Sequence, residues 1–72
     1  MIQVGLLTIE QKDSLVGQLY DNDSYFNPIQ DDFDQWVIST EEMDFCVNPE
    51  FMWVKELPLI EYVPKPAPPL PM

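Results

Sequence analysis

Tyr25-Phe26-Asn27-Pro28-Ile29-Gln30-Asp31-Asp32-Phe33-Asp34-Gln35-Trp36-Val37-Ile38-Ser39 is the stretch on which the fold turns. Two short runs rich in aromatic and β-branched residues flank an Asp-rich turn, the signature of a β-hairpin. With Asp31 to Asp34 as the loop, Gln30 is expected opposite Gln35, Ile29 opposite Trp36 and Asn27 opposite Ile38. Alternation along the strands then puts Tyr25, Ile29, Trp36 and Ile38 on one face, and Phe26, Pro28 and Val37 on the other. Pro28 has no N–H to give to a ladder, so the first strand is expected at a sheet edge. An isolated two-stranded ribbon is marginal in water, so the Trp36 face needs a cover.

The segment upstream is the candidate for that cover. Thr8-Ile9-Glu10-Gln11 fits a capping box, and Glu10 suits the positive end of a helix dipole. From Ile9 to Tyr20, helical spacing puts Ile9, Leu15, Val16, Leu19 and Tyr20 on one stripe, with Glu10, Gln11, Ser14 and Gln18 opposite. Gly17 is expected inside this helix on its polar side. Residues 2 to 7, short and apolar, are expected as an extended arm or one edge strand. Asp21-Asn22-Asp23-Ser24 then turns the chain into the hairpin by Asx chemistry. Asp21 and Asp23 faintly resemble the start of a calcium loop, but the sixth position, which needs Gly, is Phe26 and the twelfth is Asp32 rather than Glu, so no metal is expected there.

Downstream, Ser39-Thr40-Glu41-Glu42 forms a second capping-box pattern, followed by a helical turn over Met43 to Val47. Asn48-Pro49-Glu50 restarts a helix, with Asn at the N-cap and Pro in the first turn. It must end before Pro58. Leu59 to Val63 reads as extended. Five of the eight residues 64–71 are proline, so 64–72 is expected as a polyproline II arm. The reading is a small α+β domain over residues 1–63, with an amphipathic helix packed on a hairpin and the proline-rich arm after it.

Seventy-two residues limit the chain to one domain with a thin core. Scaffolds of this size lean on disulfides, metals or partners. A single cysteine, Cys46, rules out an internal disulfide, and no histidine is present for an ordinary zinc site. No cofactor is expected, and association is the remaining source of stability. Thirteen acidic residues stand against three lysines, a net charge of −10. That balance argues against direct binding to nucleic acid or anionic membranes and favours a basic protein surface. The N-terminus lacks the features of a signal peptide, and no stretch reaches the ~20 apolar residues of a membrane span. A cytoplasmic origin is expected.

No catalytic constellation emerges. There is no His for general-base work, no nucleophile motif and no Gly-rich phosphate loop. Asp31 and Asp32 on a hairpin tip have nothing to desolvate them, and Cys46 has no base to make it a thiolate. The chain is expected not to be an enzyme. Nine aromatic residues are more than so small a core must hold. Trp36, Phe51 and Trp53 are therefore candidate anchors for a partner. Pro64, Pro66, Pro68, Pro69 and Pro71 are candidates for a strap along a partner's groove. Lys65-Pro66-Ala67-Pro68-Pro69-Leu70-Pro71 also fits the basic-x-x-P-x-x-P form read by proline-binding domains. Asp21, Asp23, Asp31, Asp32 and Asp34 form the candidate acidic surface.

The order of capped helix, Tyr25 to Asp31, Trp36 to Ser39, Glu41-Glu42, Asn48 to Lys55 and Leu57 to Tyr62 resembles small uncharacterised acidic proteins encoded by tailed bacteriophages and prophages. The resemblance covers residues 6 to 63 and brings no site residues. It implies a phage-encoded protein; the thin core, the excess of aromatics, the absence of catalytic motifs and the strap-like tail then lead to the expectation of a virion component assembled in the host cytoplasm, a minor capsid or tail protein docking on a larger phage structural subunit or on copies of itself. The alternative expectation is an acidic inhibitor of a host defence or nucleic-acid-binding protein, acting by charge mimicry.

Overall fold

The computed structural model describes residues 2 to 66. The chain is a small α+β domain built on a four-stranded antiparallel sheet, with β1 Gln3–Leu7, β2 Ile29–Gln30, β3 Trp36–Ser39 and β4 Leu59–Glu61. The spatial order is β2-β3-β1-β4. Two short helices, α1 Ile9–Leu15 and α2 Thr40–Phe45, and a 3-10 helix over Pro49–Glu56 complete it.

The first correction concerns residues 2 to 7. They form neither an arm nor an edge but the central strand. Val4 lies opposite Ser39 on one side and Ile60 on the other. The reason is that both faces of this strand are covered, with Val4 and Gly5 buried on opposite sides of the pleat. The edges fall instead to β2 and β4, and β2 begins just after Pro28, which cannot serve a two-sided ladder.

The second correction is the hairpin register. Ile29 pairs with Val37 and Gln30 with Trp36, one residue away from the expected pairing. Ile29 therefore shares a face with Val37 rather than with Trp36. The loop has three residues, not four. Asp31 N–H donates to Gln35 O (3.0 Å), Asp34 N–H donates to Asp31 O (3.1 Å), and Asp34 sits in the left-handed region at φ +60°. This is a turn followed by a left-handed residue, which takes up the extra position and suits strand twist.

The third correction is the first helix, which ends at Leu15 rather than Tyr20. The capping box itself forms: Thr8 Oγ1 accepts from Gln11 N–H, and Gln11 Oε1 accepts from Thr8 N–H. Val16 (φ −60°, ψ 125°) and Gly17 (φ +79°) then make a type II turn, closed by Gln18 N–H to Leu15 O at 3.0 Å. Gly17 is thus the stop signal, not a tolerated interior residue. Ile9 and Val16 are exposed, while Leu19 pairs with Tyr25 in an isolated bridge. Nothing lies within 4 Å of a Cβ at position 17, so Gly17→Ala meets backbone strain alone. We expect a loss of about 1 kcal/mol in urea unfolding.

One sheet face carries Gly5, Leu7 and Ile38 toward the core, where Leu15, Phe26, Met43, Cys46, Phe51, Val54 and Leu57 complete the cluster. Tyr20, Phe26, Phe51 and Trp53 form a chain of tilted and edge-on aromatic contacts with centroids 5.5, 5.7 and 6.4 Å apart. The second face holds Val4 and Val37, both buried. After β4 the chain is tied across to the hairpin loop at the opposite edge, where Asp32 N–H donates to Val63 O at 2.7 Å.

Helix α2 starts at the expected Ser39 capping box, and it spans Thr40 to Phe45 rather than Met43 to Val47. Glu42 does more than cap. Its Oε2 accepts from Ser39 N–H and Oγ (3.1 and 2.9 Å), while its Oε1 accepts from Asn27 N–H. It is 8% exposed. The 3-10 helix follows its expected Asn48 cap.

Candidate functional site

The hairpin end of the sheet holds the most distinctive surface. A groove of about 480 Å³ opens there, walled by Leu6, Leu7 and Ile9 from β1 and the start of α1, by Asp34 and Trp36, and by Pro58. β1 and β3 end side by side, with Leu7 opposite Trp36, and Leu6 N–H donates to Pro58 O at 2.9 Å. That register is what brings the three walls together. Trp36 is half-buried, with Lys12 Nζ 4.5 Å from its ring centroid, within cation–π range.

Of the expected anchors, only Trp36 lines this groove. Phe51 is buried in the core, edge-on to Phe26, so in the free chain it holds the fold together. Trp53 is half-buried and packs against the same cluster. Large apolar groups not singled out from the sequence are the more exposed ones: Phe33, Tyr25, Phe45 and Val47 are each well over half exposed. Phe33 follows from its place at a loop tip, where nothing can cover it. Exposure of Phe45 depends on which side of α2 faces the sheet, a fact that six residues of pattern do not settle.

The acidic set divides. Asp23 is exposed and Asp21 half-buried, its Oδ1 accepting from Asp23 and Ser24 N–H (2.8 and 2.7 Å) as an Asx turn. Asp32 and Asp34 are exposed at the hairpin loop. Asp31 is withdrawn from the acidic surface: it is 0% exposed. Its Oδ1 accepts from Phe33 and Gln35 N–H at 2.9 Å each, so the side chain folds inward to build the loop. Its Oδ2 is buried with no partner among the described residues. Asp31→Asn keeps the Oδ1 acceptor and removes a buried charge, so it is expected to unfold within about 1 kcal/mol of the parent. Asp31→Ala strands two backbone donors and is expected to cost about 2–3 kcal/mol. Paired thermal melts of the two variants check the contrast.

Pro64 and Pro66 are exposed, whereas Pro68, Pro69 and Pro71 lie outside the described residues. Between the two described prolines, Lys65 Nζ meets Asp34 Oδ1 at 2.6 Å. This hydrogen bond, and then the charges of Asp34, Asp32 and Asp31, raise the Lys65 pKa above its ordinary value. Lys65 therefore stays charged at neutral pH, and its contribution to the pair is lost as pH rises through that raised value. The pair is solvent-exposed, so it orients the chain more than it stabilises it.

Among the described residues, no three Cys, Asp or Glu side chains come together as metal ligands, and no helix is long and apolar enough to cross a membrane. Cys46 is buried, with its Sγ 3.5 Å from Phe51 O. Compared with known proteins, the chain matches no family model, no curated protein and no solved structure.

Proposed function

We propose that this chain is a non-enzymatic component of a phage particle, a minor capsid or tail protein that docks on a larger structural subunit or on copies of itself. The observation that carries the reading is the combination of a thin core with a Trp36-lined apolar groove and several large, exposed apolar side chains. A small acidic domain gains stability when such surface is covered, and half-exposed Trp side chains are frequent anchors. In this reading α1 packs as an amphipathic helix on the β2–β3 hairpin. The proline-rich stretch that begins at Pro64 contributes to the partner contact, together with Trp36 and Trp53. The protein is made in the host cytoplasm, is built into the virion, and touches neither nucleic acid nor membrane directly.

Mass spectrometry of gradient-purified particles tests this, with the protein quantified against the major capsid protein. A fixed ratio to the capsid protein is expected, and absence from particles of infected cells rich in the protein would overturn the reading.

The competing role is an acidic inhibitor of a host defence or nucleic-acid-binding protein. Exposed Asp32 and Asp34 at the loop favour it, but Asp31 is buried and Asp34 already holds Lys65, which leaves less free charge there than the sequence count implies. Mimicry requires steeply salt-dependent binding to a host factor that fails when Asp21, Asp23, Asp32 and Asp34 become Asn. A docking subunit tolerates those changes and loses incorporation on Trp36→Ala or on deletion after Val63.

A further inference from the structure

Among the described residues, the groove beside Trp36 has apolar walls and a single charge. Leu6, Leu7, Ile9, Trp36 and Pro58 supply the walls, and Asp34 is the one ionised side chain on them. A volume of about 480 Å³ lies in the range of clefts that seat a small ligand, so the groove suits a few residues of extended chain rather than a folded surface. Two lysines stand near it, and each already has a partner. Lys12 Nζ is 2.6 Å from Asp13 Oδ1 and 4.5 Å from the Trp36 ring centroid. Lys65 Nζ is 2.6 Å from Asp34 Oδ1.

We propose that the groove takes an extended segment of the partner protein in which an apolar side chain lies against Trp36 and an arginine or lysine two positions away replaces Lys65 on Asp34. The inference rests on the docking reading and names the partner's chemistry at that site. Lys65 is then a competitor carried by the same chain, which holds the carboxylate until a better cation arrives.

The Lys65–Asp34 pair shows what the rim accepts. Its hydrogen bond, and then the charges of Asp34, Asp32 and Asp31, raise the Lys65 pKa, so the field at this rim favours a cation. Yet the pair is loosely held. Its side chains are 47% and 74% exposed, and an ion pair in water at that exposure is worth little and exchanges with other cations. An arginine makes two parallel hydrogen bonds to one carboxylate, where a lysine offers a point charge, so a partner's arginine displaces Lys65.

Spacing sets the order of residues in the occupant. Asp34 and Trp36 are two positions apart, a separation of roughly 7 Å at most along a strand. Side chains two positions apart in an extended segment share a face with about the same separation, so one reaches the indole while the other reaches the carboxylate. A second copy of this chain is a poor occupant, because each copy carries a net charge of −10 and brings an acidic rim of its own.

The test is an NMR titration of the isotope-labelled full-length chain with the peptide acetyl-Pro-Leu-Pro-Arg-amide, whose leucine and arginine have this spacing. The indole N–H resonance of Trp36 is the signal, and that of Trp53, which does not line the groove, is the internal reference. A saturable shift of Trp36 is expected, with Trp53 unmoved. Glutamate in place of the peptide's arginine is expected to weaken binding about tenfold. Asp34→Asn keeps a residue type that tolerates the left-handed backbone at this position and is expected to weaken the arginine peptide about threefold. The loss is partial because the apolar walls carry most of the contact. Lys65→Gln is expected to tighten binding about threefold by removing the competitor. Lys55→Gln makes the same change in net charge away from the groove and is expected to have little effect.

An unmoved Trp36 resonance would overturn the proposal. So would a glutamate peptide that binds as well as the arginine peptide, or a Lys65→Gln chain that binds no better than the Lys55→Gln chain. A Trp36 resonance that moves with protein concentration alone would also overturn it, because a second copy would then be the occupant. The titration needs only the isolated chain, so its failure leaves the protein's presence in particles unaffected, and absence from particles leaves the groove's preference as measured.

Discussion

Glu42→Ala is expected to lower the unfolding free energy by about 3–5 kcal/mol, measured by urea titration with tryptophan emission as the signal. One carboxylate serves three donors in two parts of the chain. It closes the capping box of α2 through Ser39 N–H and Oγ, and it holds Asn27 N–H in the segment that leads into β2. Alanine removes all three acceptor contacts and takes the carboxylate, itself 8% exposed, away from the backbone donors of Asn27 and Ser39. Each such loss costs about 1–3 kcal/mol, at the upper end because the bonds are to a charged group. A domain of this length has a total stability of roughly 4–10 kcal/mol, so the variant loses a large share of its folded population. Glu42→Gln keeps one good acceptor but turns an N–H group toward a donor. It is expected to fall between parent and alanine. A Gln variant as unstable as the Ala variant would show that the charge, rather than the acceptor geometry, holds Asn27.

Gly5→Leu is the second large effect, and its cause is the opposite: too much volume. Gly5 lies in the central strand opposite Ile38 and Leu59. A Cβ there would stand 2.6 Å from Met43 Sδ and 3.3 Å from Leu57 Cδ1. Met43 is flexible and can give way to one methyl group, so Gly5→Ala is expected to cost about 1 kcal/mol or less. Leucine adds three further carbons under α2 and the 3-10 helix, with no space to receive them. Overpacking of this kind costs about 1–3 kcal/mol and lifts α2 from the sheet. A loss near the upper end is expected in calorimetry, with the Leu variant melting well below the Ala variant. Equal melting temperatures would mean that α2 is not seated over this strand.

The caps and turns were legible in the sequence because their physics is local. Thr8 with Gln11, Ser39 with Glu42, and Asn48 with Pro49 each act within a single turn, and each forms where the pattern puts it. Pro28 likewise marked β2 as an edge by its missing donor. The candidate site was legible only in part. Trp36 could be named as a candidate anchor, but its groove exists because β1 ends beside β3 and Pro58 closes the side, which is a relation among three distant segments. Asp31 could not be separated from Asp32 and Asp34 by composition, since all three are carboxylates in one loop. Only the three-residue turn, with Asp34 left-handed, directs Asp31 inward and the other two outward.

By itself the sequence determined the α+β class, the acidic character, the helix starts and the existence of the hairpin. Each depends on residues within a few positions of one another or on totals over the chain. The tertiary structure decided the rest. It made residues 3 to 7 a central strand, shifted the hairpin by one residue and ended α1 at Leu15, with Gly17 in the left-handed turn that follows. It also buried Asp31 and set Lys65 on Asp34 at the rim of the groove. These outcomes rest on pairing and packing between distant segments, such as Gln3 with Glu61 and Val4 with Ser39, whose energies depend on which faces are covered once the chain has closed.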